Sequence, residues 1–109
     1  MNNLRNKVQL IGHLGKDVEY KALENGNAIA RATISTREIY TNADGKKVID
    51  VQWHNLVGWG PIAEIMSVLL RKGHAVAVQG KLAHRTYEGK DGQKRRISEV
   101  VVHEFIPLT

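Results

Sequence analysis

The pattern of apolar and polar positions marks five strand-like segments of the chain. One of them, Ala28 to Thr36, alternates small apolar residues with larger or polar ones, and the others are rich in apolar, β-branched or aromatic residues. The five segments run from Lys7 to Leu14, Ala28 to Thr36, Val48 to Trp59, Ala75 to Leu82 and Ile97 to Phe105. Three glycine pairs, Asn25-Gly26, Asp44-Gly45 and Asp91-Gly92, have the composition of tight turns between antiparallel strands. The pattern predicts five β-strands joined largely by hairpins.

One segment has a different period. From Pro61 to Lys72, apolar residues recur at helical spacing, at Ile62, Ile65, Met66, Leu69 and Leu70. Pro61 suits the first helical position, Arg71 and Lys72 suit the last turn, and Gly73 suits the stop. We therefore expect one helix whose apolar stripe plugs a core.

The predicted order is three strands, a helix and two strands. This order is that of the OB-fold, which belongs to the all-β class. The OB-fold is a five-stranded Greek-key barrel with one helix between strands 3 and 4. A length of 109 residues suits one domain, residues 1–109. The alternative that the pattern leaves open is a generic α+β sheet.

The composition excludes some classes of chemistry. The chain has no cysteine, so disulfides and thiolate metal sites are impossible, and an intracellular setting is expected. Its start does not resemble a signal peptide, and its longest apolar run, Val68-Leu69-Leu70, is too short to span a bilayer. We expect a soluble, unprocessed protein.

No catalytic pattern is present in the sequence. The five histidines are scattered without metal-ligand spacing, and most carboxylates lie where turns or a helix start explain them. The segment Gly89-Lys90-Asp91-Gly92 lacks the strand-to-helix context of a phosphate-binding loop and is better explained as a hairpin tip. We expect no enzyme, no metal site and no cofactor.

The charge points to an acidic partner. The formal net charge is +5 and the pI is about 9.7, which favours nucleic acid among possible partners. Residues 81–96 carry six basic and two acidic side chains, a net charge of +4. Much of the excess positive charge is therefore predicted to lie on one hairpin.

The aromatic residues suggest what that partner is. Trp53 and Trp59 are six residues apart, so an uninterrupted strand directs both rings to one face, about 20 Å apart. Tyr40 and Tyr87 lie beside basic loops, and rings among cations are what the bases and phosphates of single-stranded nucleic acid require. Parity alone leaves open whether the tryptophan face is solvent or core. Tyr20 and Phe105 lack charged neighbours and are assigned to packing.

The chain resembles the bacterial single-stranded DNA-binding protein family over essentially its whole length. The matching pieces occur in family order and spacing. They are Asn6 to Asp17, Asn25-Gly26, Trp53-His54, Ala63-Glu64, Leu70 to Gly73, Gly80 to Leu82 and Glu99 to Val102.

The resemblance implies sequence-tolerant binding of single-stranded DNA by a homotetramer of OB-folds, in the bacterial cytoplasm and associated with the nucleoid. It assigns base stacking to Tyr40, Trp53, Trp59 and Tyr87. It makes phosphate partners of Lys7, Lys72, Lys81, Arg85, Lys94, Arg95 and Arg96, and places His54 near a subunit contact. Family members usually continue into an acidic tip that recruits other proteins. This chain ends at Thr109, so it is either trimmed or a paralogue without recruitment, and tail-mediated partners are not carried over.

Two other functions fit the same fold. One is a related OB module that binds RNA or serves in a primosome. The other is an OB domain for protein interaction, in which Trp53 and Trp59 would be buried.

Overall fold

A computed structural model describes residues 4–108. The residues of the predicted domain that lie outside this range are Met1, Asn2, Asn3 and Thr109. The described chain forms six strands and one helix. In chain order they are β1 (Val8–Leu14), β2 (Glu19–Ala22), β3 (Ala28–Thr41), β4 (Lys47–Trp59), α1 (Pro61–Leu69), β5 (Ala75–Glu88) and β6 (Lys94–Pro107).

Five of the strands close a barrel. They are hydrogen-bonded in the order β1-β5-β6-β4-β3, and β3 pairs back to β1 at Ser35 and Ile34. The helix lies between the third and fourth strands of the barrel, so the predicted OB-fold is confirmed. One detail differs from the expected antiparallel arrangement, because β4 and β6 run parallel. The chain makes this parallel contact by returning from β4 through α1 and β5.

The three predicted turns are confirmed. Each joins two antiparallel strands and is closed by backbone hydrogen bonds, as where Asn42 N–H donates to the Lys46 carbonyl at 2.9 Å. Gly45 has a φ of 79°, a conformation that glycine adopts without steric cost. The two long hairpins, β3–β4 and β5–β6, extend past the barrel as two arms.

Two elements differ from the sequence prediction. The short strand β2 pairs along the outer edge of β3 and was not predicted, because a run of four residues without a β-branched side chain is a weak strand signal. All four of its residues are exposed. The helix ends at Leu69 rather than Lys72. Leu70 is extended, with φ −107° and ψ 137°, and its side chain is buried in the core. Arg71 and Lys72 therefore lie beyond the last turn.

The barrel core takes one parity from each strand. On β3 these residues are Ala28, Ala30, Ala32 and Ile34, and on β4 the core residue is Leu56. From α1, Ala63 and Met66 are buried among them, so the helix closes one end of the barrel as predicted. Since side chains alternate along a strand, the odd-numbered residues of β3 and β4 point away from the barrel interior. Two of them, Ile29 and Val57, are nevertheless buried.

Candidate nucleic-acid interface

Both tryptophans lie on the outside of the barrel. Trp53 and Trp59 belong to the odd parity of β4, opposite to the core residue Leu56, and their exposed fractions are 61% and 50%. The side of β4 that carries both tryptophans therefore faces solvent, which the sequence alone left undetermined. Two large flat rings are available on one side of one strand.

The ladder of hydrogen-bonded strands shows what surrounds these rings. Arg31 on β3 lies across from Val57, and Glu99 on β6 lies beside Asn55. On β5, Lys81, Arg85 and Tyr87 are paired with Val101, Ile97 and Arg95 of β6. These residues point to the same side of the sheet as Glu99. We call this surface the tryptophan face. It consists of the outward-pointing residues of four strands, including Arg31 on β3, Trp53 and Trp59 on β4, Glu99 on β6 and Tyr87 on β5.

The Trp53 indole packs directly against Gly15, a position that has no room for a side chain. A β-carbon built on Gly15 would lie 2.3 Å from Cζ3 and 2.8 Å from Cη2 of the Trp53 indole. Gly15 is fixed there because its N–H donates to the Thr33 carbonyl at 3.1 Å. One side of the indole is therefore seated on backbone while the ring stays largely open to solvent.

Tyr87 lies near the tip of the β5–β6 arm, one residue before the end of β5. It is 42% exposed, and the Arg85 guanidinium lies 5.6 Å from the centre of its ring. That distance is within the range of a cation–π contact. Tyr87, Trp53 and Trp59 thus share one face, as the sequence-based assignment requires of stacking residues.

Tyr40 is the exception among the four predicted rings. It is 52% exposed, but its partner across the β3–β4 ladder is Val48, whereas the partner of Trp53 is Ser35. Residues of even and odd number on this ladder point to opposite sides. Tyr40 therefore lies on the reverse side of the arm and is not brought together with the other three.

The predicted cations fall into three groups. Lys81, Arg85 and Arg95 lie on the tryptophan face, whereas Lys94 and Arg96 lie on the reverse side of the β5–β6 arm, across from Glu88 and Thr86. The charge of Arg95 is partly neutralised, because this side chain pairs with Asp91 at 2.8 Å.

The other two predicted cations lie outside the arms. Lys7 precedes β1, and it is held beside β5 because the Asn6 side chain makes two hydrogen bonds, of 3.0 and 2.9 Å, with the Leu82 backbone. Lys72 lies in the turn after α1, where its backbone N–H donates to Asp17 at 2.8 Å. Both lysine side chains are exposed.

Two charged residues of this face, Glu99 and Arg31, were not predicted as site residues from the sequence. Glu99 has a side chain only 8% exposed, and it pairs with Arg31 at 3.3 Å and with Arg85 at 3.0 Å. A signal was present in the sequence, since Glu99 is a charged residue directly before the apolar run Val100 to Val102 of a predicted strand. A charged residue in such a strand needs a charged or hydrogen-bonding partner.

Three further residues named in the sequence analysis, His54, Phe105 and Tyr20, lie apart from these groups. The side chain of His54 is half-buried and contacts Thr36 through Nε2 and Oγ1 at 2.9 Å. Phe105 packs against the core as predicted, whereas Tyr20 is 42% exposed on β2 and does not. Within residues 4–108, no cluster of three or more histidine, aspartate or glutamate side chains has metal-binding geometry, and no helix is long and apolar enough to cross a membrane.

A closed OB barrel with open rings among cations on its outer face belongs to the class of folds that carry oligonucleotide-binding modules. Comparison with known proteins narrows the class. Residues 5–108 match the family model described as "Single-strand binding protein family". The chain belongs to this family.

Named relatives agree with the family model. The chain is 37% identical over 100 residues to proteins named single-stranded DNA-binding protein from Neisseria meningitidis serogroups A and B, covering 92% of this chain. It is 37% identical over 97 residues to single-stranded DNA-binding protein 1 of Chlorobaculum tepidum, covering 88% of this chain. The chain spans 58% of the length of the Neisseria proteins and 60% of the Chlorobaculum protein.

Solved structures show the same fold. The structure described as a Plasmodium falciparum SSB complex with ssDNA superposes with a TM-score of 0.88 at 28% identity, covering 95% of each chain. A deletion mutant of the single-stranded DNA binding protein from Thermus aquaticus superposes with a TM-score of 0.83 at 29% identity, covering 95% of this chain and 50% of that one.

Proposed function

We propose that this protein binds single-stranded DNA with little sequence preference and catalyses no reaction. The observation that carries the proposal is the pair of open tryptophans on the tryptophan face, with Tyr87 and several cations beside them. Membership of the family, the names of the relatives and the DNA complex of the Plasmodium protein support it.

The mechanism is stacking combined with charge. A base stacked on an aromatic side chain contributes about 1–3 kcal/mol, so three rings on one face supply about 3–9 kcal/mol before the cost of ordering the strand. Every base has a π-face, so stacking tolerates any sequence. The basic side chains contact phosphates and release counterions, with a salt slope of about −0.7 for each phosphate neutralised.

Such binding keeps unpaired DNA accessible and protected during replication, recombination and repair. These processes place the protein in the bacterial cytoplasm, at the nucleoid. Tyr40 joins this mechanism as a fourth ring for a strand that passes around the edge of the β3–β4 arm.

The direct test is the anisotropy of a labelled oligo-dT titrated with protein at low salt, with a duplex of equal length as the control. The proposal expects tight binding to oligo-dT and much weaker binding to the duplex. Competition with unlabelled oligo-U of the same length separates DNA binding from RNA binding. Failure to bind oligo-dT, or a clear preference for oligo-U, contradicts the proposal.

We further propose that the working form is a homotetramer. Strand β1 supports this, because in the described part of the chain its ladder to β3 holds only His13 and Leu14, while Val8 to Ile11 are paired only to β5. An unpaired strand edge is a ready site for a second copy of the chain. His54 then lies near a subunit contact. Sedimentation at micromolar protein is expected to give a tetramer, and a stable monomer contradicts this assembly.

A further inference from the structure

The tryptophan face has a charged cluster at its centre that takes no part in base stacking. Glu99 is nearly buried there, and its two oxygens accept from two different arginines, Arg31 from β3 and Arg85 from β5. The arginine side chains are each 40% exposed. Each guanidinium is therefore held on one edge by the carboxylate and remains partly exposed to solvent.

This cluster lies between the rings. Glu99 is beside Asn55 on β4, the residue that separates Trp53 from Val57, and Arg85 contacts Tyr87. A cleft of about 160 Å³ opens here, lined by the three charged residues together with Asn55 and Thr33. We expect the bases of a strand that stacks on Trp53 and Tyr87 to be directed toward the surface between these rings, which is where the cleft lies.

The small net charge of the cleft also favours bases, rather than phosphates, as the groups that it contacts. Besides the cluster, Lys16 and Glu19 line it and pair with each other at 3.4 Å. The lining thus carries three positive and two negative groups, a net charge of only +1. Lys81, which is exposed elsewhere on the face, pairs with no acidic side chain among residues 4–108 and offers its charge to phosphates, whereas these arginines offer directed N–H donors.

We infer that Glu99 is a positioning residue that holds Arg31 and Arg85 as fixed donors to the edges of stacked bases. This assigns Arg31 a contact that the sequence did not predict, and it changes the role of Arg85 from phosphate partner to base contact. The inference rests on the proposed function, because it requires a single strand on the tryptophan face. Glutamate suits the role because its two acceptor oxygens can orient two arginine guanidinium groups at once.

Two variants separate positioning from simple charge. Glu99→Gln removes a negative charge from the binding face, so a purely electrostatic role predicts tighter binding. The positioning role predicts the opposite, about 2- to 10-fold weaker binding at each salt concentration, because the amide NH₂ of glutamine cannot accept from an arginine and one guanidinium is released. Arg31→Lys retains the charge at a half-exposed site and removes the fork, and it is expected to bind at least about 5-fold more weakly.

The assay is the anisotropy of labelled oligo-dT at four salt concentrations, with a thermal melt and a circular dichroism spectrum to verify folding of each variant. Glu24→Gln in the exposed β2–β3 turn makes the same charge change away from the cluster and serves as the control. The slope of log K against log salt is expected to stay at its wild-type value in Arg31→Lys and Arg31→Ala. Lys81→Ala, which removes a phosphate partner, is expected to lower its magnitude by about 0.7.

Three outcomes are decisive. If the wild type does not bind oligo-dT, the proposed function itself fails. If the wild type binds, but Arg31→Lys binds equally well or Glu99→Gln binds more tightly than Glu24→Gln, the cluster does not position base contacts. If Arg31→Ala lowers the magnitude of the salt slope by about 0.7, Arg31 contacts a phosphate and the inference is overturned.

Discussion

Replacing Gly15 with alanine tests how the structure seats its most exposed tryptophan. The added methyl carbon would lie 2.3 Å from Cζ3 of Trp53, whereas carbon atoms in contact are about 3.5 Å apart or more. The indole must therefore move away by about 1 Å. Because the ring is 61% exposed, it moves without disturbing the core, and the unfolding free energy is expected to change little.

The effect on binding follows from the size of that displacement. A gap of about 0.5–1 Å forfeits roughly a quarter to a half of a van der Waals contact. Applied to a stack of about 1–3 kcal/mol, this gives a loss of about 0.3–1.5 kcal/mol, which is about 2- to 12-fold weaker binding to oligo-dT. The measurement is an anisotropy titration at fixed salt, with a thermal melt to verify stability.

A double-mutant cycle completes the test. If Gly15 acts only by seating the indole, Gly15→Ala has no further effect in a protein that already carries Trp53→Ala. Wild-type affinity of the single variant Gly15→Ala, or an equal loss in both backgrounds, refutes this reasoning.

The remaining predictions concern the rings and the helix end. Trp53→Ala should weaken oligo-dT binding by about 5- to 150-fold, whereas Tyr20→Ala on β2 should leave it nearly unchanged; equal and negligible effects in the same titration count against the platform. On an oligo-dT short enough to occupy one face, Tyr87→Ala should cost more affinity than Tyr40→Ala, since Tyr40 lies on the reverse side of its arm; the opposite ranking would show that the strand follows that side. Leu70→Ala should lower the unfolding free energy by about 2–5 kcal/mol in a urea titration, because its side chain is only 1% exposed. Its neighbour Leu69, 49% exposed, should tolerate alanine with a loss of about 0.5 kcal/mol or less, and similar losses at both positions would contradict the assigned end of the helix.

The fold was largely predictable because its local signals agree with one another. The glycine turns, the strand composition and the single helical stretch beginning at Pro61 each predict the element that the structure contains. What the sequence could not show is where tertiary packing overrides a local pattern. Leu70 continues the helical period, but its burial in the core extends the backbone and ends the helix.

The site was predictable in composition and less so in geometry. Trp53 and Trp59 are on one strand, so their shared face follows from spacing alone. Tyr40 is on the neighbouring strand, and its side depends on the register that the turn around Gly45 sets; a shift of one residue would reverse it. The pairs that Glu99 makes with Arg31 and Arg85 join three strands, and only the closed barrel brings them together.

The central claim is that open indole rings and nearby cations bind unpaired bases together. It is tested most directly by following intrinsic tryptophan fluorescence while oligo-dT is added at two salt concentrations. We expect saturable quenching at both concentrations, with an affinity that falls as salt rises by a slope of about −0.7 for each phosphate contacted. Fluorescence that stays unchanged at saturating oligo-dT, or quenching whose affinity does not respond to salt, contradicts the account.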